Sequence, residues 1–308
     1  MRIVFMGTPQ YCVPTLSKLK DAGHDIAAVF CQPDKPVGRK QILTPPPTKI
    51  FAADAGIPVF QPVTLRDGSA EKIISEISPD IIVVVAYGKI LPESILNMPK
   101  YGAINGHASL LPKLRGASPI QWAIVTGETK TGVTVMQMDK GMDTGDILAV
   151  KTTDILPDET AGELFDRLSV ITADLIVETL VSIKNNTAVP VKQNESEATY
   201  TPIIRKDMAQ LDFTKTAGEL CREVRGFNPW PVSYFTAFGK RYKVLKAKVC
   251  DGYSGNRGEI LCTDSRLIIA CGNNSAIEIF LIQPEGKKPM SAADMLKGHK
   301  FPSGTMLC

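Results

Sequence analysis

Along the first 186 residues, short apolar runs alternate with stretches whose apolar positions recur every three or four residues. That alternation predicts an α/β, Rossmann-like domain: a mostly parallel sheet with helices on both faces. Strands are expected at Ile3–Met6, Ile26–Phe30, Ile81–Ala86, Ala103–Asn105 and Val133–Met138. Ile81-Ile-Val-Val-Val-Ala86 is apolar at every position and mostly β-branched, as a central strand buried on both faces requires. Helices are expected at Pro14–Ala22, Lys49–Ala55, Ala70–Ile77 and Pro119–Val125. The best-marked helix begins at Thr160, where Thr160-Ala-Gly-Glu163 has capping-box spacing. Leu164, Leu168, Ile171, Leu175 and Leu180 then follow at helical spacing until Lys184-Asn-Asn186.

Residues 187–207 are polar and without period, and are expected to form a linker. The pattern changes again over 208–308. Thr216-Ala-Gly-Glu219 opens one short helix by a second capping box, and Phe227-Asn-Pro-Trp-Pro231 ends it. Five short strand-like runs follow, at 232–238, 241–249, 258–262, 266–270 and 276–281. Five strands joined by Gly-rich turns predict a small barrel of the oligonucleotide-binding kind.

Composition narrows the class without changing this picture. The 308 residues are 44% hydrophobic and 22% charged, which excludes a disordered or fibrous chain. No apolar run approaches the ~18 residues of a membrane span, so no membrane is expected. Met1 to Gly7 reads as a first strand meeting its turn rather than as a secretory signal. Seven cysteines, with no Cys-x-x-Cys pair, argue against a disulfide framework or a zinc site and for a reducing, cytoplasmic setting. Net charge is +3 but unevenly placed: residues 1–207 carry 21 Lys+Arg against 23 Asp+Glu, and residues 208–308 carry 14 against 9. The excess of basic groups in the last third suits an anionic partner, with nucleic acid the usual candidate.

Several familiar sites are absent. Gly7-Thr-Pro-Gln-Tyr-Cys12 has only the first glycine of the dinucleotide fingerprint, and no P-loop sequence occurs. Asp143-Thr144-Gly145 matches the aspartic-protease tripeptide, but that chemistry needs a second carboxylate copy, which is missing. Of three histidines, His24 and His299 lie in polar turns, whereas His107 follows a short strand at the edge where open α/β sheets place their ligands. Asn105 lies two positions earlier, so an extended strand points both side chains to the same side. Asp139, Asp143 and Asp146 crowd the turn after the next strand. Asp139 and Asp146 suit bracing of the turn, while Asp143 lies between Gly141 and Gly145, whose freedom allows close approach to a substrate.

Asn105-x-His107-x-Ser109-Leu-Leu-Pro112, followed by Gly132-Val-Thr and Asp139-x-Gly-x-Asp143-x-Gly145, resembles the signature of the folate-dependent formyltransferases. Further blocks resemble the tRNA-acting branch of that family: Phe5-Met-Gly-Thr-Pro9, Gln32-Pro-Asp-Lys-Pro-Val-Gly-Arg39, Arg115-Gly-Ala-Ser-Pro-Ile-Gln121, Phe227-Asn-Pro-Trp-Pro231 and Gln283-Pro-Glu-Gly-Lys-Lys288. Two positions depart from the pattern. Gly106 stands where a bulkier residue is common, which is expected to loosen the segment, and Tyr11 stands where Phe is common.

The resemblance implies transfer of a formyl group from 10-formyltetrahydrofolate to the α-amine of methionine on initiator tRNA, for translation initiation, with no metal. Asn105 and a protonated His107 would donate to the tetrahedral oxyanion, and Asp143 would favour the charged imidazole and move protons. It also implies a folate pocket along Ser109, Leu110, Leu111 and Pro112 and along Tyr87, Gly88, Ile90 and Leu91, although leucines at a strand end are equally ordinary core. The connection 32–47, with Lys35, Arg39 and Lys40 against the single acid Asp34, is expected to act as a basic arm that reads the acceptor stem through its deformable end. Arg39 would make its main contact. In the barrel, Arg241, Lys243, Lys246 and Lys248 would form a stripe along the tRNA backbone. A monomer is expected. Two alternatives remain: a formyltransferase acting on another amine, such as a sugar nucleotide, and a catalytically silent RNA-binding protein.

Overall fold

All five strands expected in the first half of the chain lie in one sheet of the computed structural model, which describes residues 1–38, 40–262, 264–299 and 301–307. In chain order the elements begin with β1 (Arg2–Gly7), α1 (Val13–Asp21), β2 (Asp25–Phe30), β3 (Lys35–Val37), β4 (Ile42–Thr44), α2 (Pro47–Asp54), β5 (Val59–Phe60), α3 (Ser69–Ile77) and β6 (Ile81–Val85). They continue with α4 (Glu93–Leu96), β7 (Ala103–His107), β8 (Arg115–Gly116), α5 (Pro119–Val125), β9 (Lys130–Gln137), β10 (Ile147–Asp154), α6 (Ala161–Lys184) and β11 (Tyr200–Thr201). The last group is α7 (Ala217–Gly226), β12 (Tyr234–Ala237), β13 (Lys240–Val249), β14 (Ile260–Cys262), β15 (Leu267–Cys271), β16 (Ser275–Pro284), β17 (Met290–Ser291) and α8 (Ala292–Gly298).

Two compact units emerge, neither continuous in sequence. Met1–Gly116, Thr131–Asp154 and Phe165–Thr201 form the first; Ala117–Lys130, Ile155–Leu164 and Pro202–Cys308 form the second. The stretch 187–207 therefore divides between them. Its first part is held by specific contacts, including the pairing of Val191 with Ile147 and of β11 with β8.

The sheet of the first unit has the order β10-β9-β7-β6-β1-β2-β5. β5, β2, β1, β6 and β7 run parallel, and β9 is antiparallel to β7. The chain moves outward from β1 through β2 and β5, then returns to β6 on the other side, so the reversal of direction falls at β1 and β6. Ligand crevices form outside the carboxyl ends of strands at such points. β6 is buried along its whole length, as its unbroken Ile-Ile-Val-Val-Val run requires. One face of the sheet, with Val4, Met6, Phe30, Ile82, Val84 and Ala103, packs with Ala70 and Ile74 of α3 and Ile95 and Leu96 of α4. On the other face, Thr172 and Ile176 of α6 reach the backbone of β7 at Gly106.

The second unit holds an antiparallel sheet in the order β12-β13-β16-β15-β14, with β17 added to β16. The sheet curls, and no β12–β14 pairing occurs among the described residues, so it is a half-barrel. Leu220 and Val224 of α7 join Phe235, Tyr242, Val244, Ile269, Ile277 and Ile282 in its core. Both capping boxes form: Thr160 with Glu163, and Thr216 with Glu219.

Candidate active site

Asn105 and His107 close the carboxyl end of β7. Register with β6 pairs Val84 with Asn105, which carries both side chains to the face opposite α6. The half-buried Asn105 carboxamide has no hydrogen-bond partner among the described residues, so its two donors are available to a ligand. The His107 side chain is only 7% exposed. Its Nε2 lies 3.0 Å from the Leu114 carbonyl, which can only accept, so Nε2 carries the hydrogen. Nδ1 then faces Asp143 Oδ2 at 3.6 Å, longer than a direct hydrogen bond. A proton on Nδ1 would sit between imidazole and carboxylate.

Gly106 does not leave this segment loose. A Cβ there would lie 2.8 Å from Thr172 Cγ2 and 2.9 Å from Ile176 Cδ1, so α6 already fills the space. The Tyr11 hydroxyl in turn bonds Thr172 Oγ1 at 2.7 Å. The two departures from the resembling sequences thus belong to one packing solution beneath the site.

Asp143 projects from a loop that tolerates few residues. A Cβ at Gly145 would fall 1.7 Å from the Gln137 carbonyl oxygen, and one at Gly141 would fall 2.0 Å from Thr144 Oγ1. Asp139 braces the turn, accepting from Gly141 N–H at 2.9 Å and from the Thr144 hydroxyl at 2.7 Å. Asp143 itself has φ +54°, a left-handed conformation that costs a non-glycine residue about 1 kcal/mol or more. Its Oδ2 accepts the Gly116 N–H at 2.8 Å, and its carbonyl accepts the Gln193 amide at 2.8 Å. Neither partner was expected from sequence. Gly116 is joined to Asp143 through a backbone group, and Gln193 lies 50 positions away in a stretch with no periodic signal.

The residues expected along the folate pocket separate into two sets. Tyr87 and Leu91 are buried in the apolar cluster beneath α3 and α4, and burial without a hydrogen-bond partner pushes the Tyr87 phenol up to about 12. The Tyr87 carbonyl accepts from Thr8 and Gln32, and Gly88, at φ +81°, continues the turn. Ile90 is 67% exposed beside them. Ser109 is fully buried, its hydroxyl donating to the Lys113 carbonyl at 2.6 Å and its carbonyl accepting from Thr134. Leu111 is buried, whereas Leu110 and Pro112 keep part of their surface.

The connection 32–47 contains the antiparallel pair β3–β4, with Lys35 and Lys40 exposed and Val37, Ile42 and Leu43 more than half exposed. Arg39 lies outside the described residues. At its base, Gln61 and Lys49 both donate to the Asp34 carboxylate and hold it below its usual range, and Lys49 also donates to Gln61.

On β13, Tyr242 and Val244 point inward, yet so does Ala247, three positions on. Strict alternation would place Lys246 and Lys248 on the opposite face from Arg241 and Lys243. Register breaks around Lys246, matched by the consecutive exposed Phe280 and Leu281 of β16, reset the phase. All four cations therefore face solvent. Two are partly engaged: Arg241 stacks 4.0 Å from the Tyr234 ring centre, and Lys248 pairs with Asp158 at 2.9 Å.

The family models agree with this architecture. Residues 1–180 match the formyl transferase model and residues 203–300 match the formyl transferase C-terminal domain. The chain belongs to the formyl transferase family. A relative from Lachnospira eligens, named methionyl-tRNA formyltransferase, is 46% identical over 100% of this chain and 99% of its own. Among solved structures, an N-formyltransferase from Helicobacter canadensis, in complex with folinic acid and dTDP-3-aminofucose, shares the fold (TM-score 0.68, 21% identity, 90% of this chain and 98% of that one). HypX from Aquifex aeolicus, in complex with tetrahydrofolic acid, also shares it (TM-score 0.64, 16% identity). The match covers 96% of this chain and 47% of that chain. Among the described residues, no helix is long and apolar enough to cross a membrane.

Proposed function

We propose that this chain transfers the formyl group of 10-formyltetrahydrofolate to the α-amine of methionine on initiator methionyl-tRNA. The observation that carries the reading is an unpartnered Asn105 carboxamide on the same face of β7 as the His107 imidazole, whose Nδ1 lies 3.6 Å from the Asp143 carboxylate. The close relationship to the Lachnospira protein over the full length supports the choice of acceptor.

The chemistry follows from the groups present. The methionyl amine attacks the formyl carbon, forming a C–N bond and a tetrahedral oxyanion. The Asn105 carboxamide donates to that oxygen, an interaction of about 3 kcal/mol where a donor is preorganised. His107 contributes through Nδ1, because Nε2 is already bonded to Leu114. Collapse breaks the bond from the formyl carbon to folate N10. The methionyl ammonium gives up two protons overall: one ends on N10 and the other in solvent. Asp143, beside His107 Nδ1, relays them. In this reading the first 186 residues carry the chemistry, folate lies along Leu110, Pro112, Gly88 and Ile90, and the acceptor stem is gripped by Lys35, Arg39 and Lys40. Residues 208–308 meet the tRNA backbone along Lys243 and Lys246, joined by Arg241 and Lys248.

The test is a comparison of acceptors. With 10-formyltetrahydrofolate as donor, initiator methionyl-tRNA should be formylated and elongator methionyl-tRNA should not. Equal formylation of both, or preference for an amino sugar nucleotide, overturns the reading.

A further inference from the structure

Gln193 and Arg115 form a polar network beside the Asp143 loop. Gln193 Nε2 donates to the carbonyls of Asp143 and Gly145, both at 2.8 Å, and thereby bridges the loop. Gln193 Oε1 accepts from Arg115 Nε at 3.1 Å and from Nη2 at 2.8 Å. Both amide hydrogens and both acceptor positions are thus used. Arg115 is fully buried and equally committed. Besides its two bonds to Gln193, it donates from Nη1 and Nη2 to Glu195 at 2.9 and 2.7 Å, and from Nη1 to the Tyr200 hydroxyl at 3.0 Å. Its five N–H groups all have partners, so a guanidinium in a family that handles anionic substrates is closed to them.

The same strand supplies the second grip on Asp143. Arg115 N–H bonds the Thr199 carbonyl, and the next residue, Gly116, donates to the Asp143 carboxylate. A Cβ at Gly116, with φ +98°, would fall 2.9 Å from the Thr201 carbonyl. Asp143 is therefore held from two sides: Gln193 takes its backbone carbonyl, and Gly116 of β8, paired with Thr201 of β11, takes its carboxylate. The clamp holds Asp143 in its left-handed backbone conformation (φ +54°).

We propose that Gln193, oriented by Arg115, is a positioning residue that holds the Asp143 carboxylate at His107. This rests on the formyl-transfer reading, in which Asp143 relays protons. The test is a double-substitution cycle read by single-turnover formylation of initiator methionyl-tRNA. Gln193→Ala removes the clamp. Gln193→Glu keeps an acceptor for Arg115 but removes the hydrogens that bridge the loop, and it serves if the alanine variant does not fold. Each should slow formylation about 10- to 100-fold while both KM values stay within about threefold. In an Asp143→Asn background the same changes should cost less than about twofold, because the carboxylate they position is already gone. Equal losses in both backgrounds, or Gln193→Glu at the parental rate, overturn the positioning role. Asp143→Asn alone at the parental rate would instead remove Asp143 from the reaction and take the formyl-transfer mechanism with it.

Discussion

The neighbourhood of Asp143 and the outer face of β13 are both polar, yet they are built by opposite means. Around Asp143 the carboxylate and the backbone carbonyl take their partners from residues 27 and 50 positions away. On β13 the cations depend little on partners, because water serves, and local register breaks around Lys246 bring Lys246 and Lys248 to the same side as Arg241 and Lys243. Polar groups in a water-poor site depend on each other, so removing one leaves others unsatisfied. Exposed cations act as separate increments in a screened field. Substitutions should therefore be large and coupled in the first region, small and additive in the second.

His107→Ala and Asp143→Ala test the large end. Each should lower kcat by about 100-fold or more while tRNA affinity, read by filter binding, stays near that of the parent. A loss confined to KM would move these side chains out of the chemistry. Gly145→Ala should destabilise the fold by several kcal/mol, since its Cβ collides with the Gln137 carbonyl. A melting temperature unchanged from the parent would mean the loop can move aside, and the rigidity ascribed to this region would be lost.

Arg39→Ala should damage tRNA use and initiator selectivity while folate binding stays near normal; unchanged selectivity would end the basic-arm idea. Lys243→Ala and Lys246→Ala should each weaken tRNA binding modestly and reduce the slope of log K against log salt by about one unit or less. Their effects should add. A coupled loss would mean that the stripe is organised like the buried site.

The smallest effect concerns pH. Arg115 holds the Glu195 carboxyl below the usual range, chiefly through their hydrogen bonds. A depressed folded-state value contributes stability present above the unfolded value, about 4.3, and lost as pH falls through the lower folded one. Glu195→Gln should thus flatten the decline of melting temperature on the acid side. An unchanged acid slope would count against this ion pair as a brace of the 193–201 segment.

Much of the fold was legible because its signals are local. β6 announces itself by five consecutive apolar positions, and both capping boxes by two residues three apart. The expected strands of the second unit fall within a few residues of β12 to β16. Elements without an apolar face were not visible: β3 and β4 are exposed at every position, and β10 buries none of its residues fully. α4, β17 and α8 are short and give little periodicity. Of the site, the Asn105–His107 pair was visible as polar residues at a strand end, and Asp143 as an acid flanked by Gly141 and Gly145 in the following turn. Arg115 was visible as part of a matching block but not for what it does.

Residue order alone marked where the strongly patterned strands and helices begin, and set Asn105 and His107 on β7 and Asp143 between two glycines after β9, because hydrophobic period, capping and glycine freedom act within a few residues. Tertiary structure alone decided that Nδ1 of His107 meets Asp143, that the 193–201 segment grips the loop, and that a bulge turns Lys246 and Lys248 outward. Those outcomes depend on hydrogen-bond partners and register brought together from distant parts of the chain, and no local pattern encodes them.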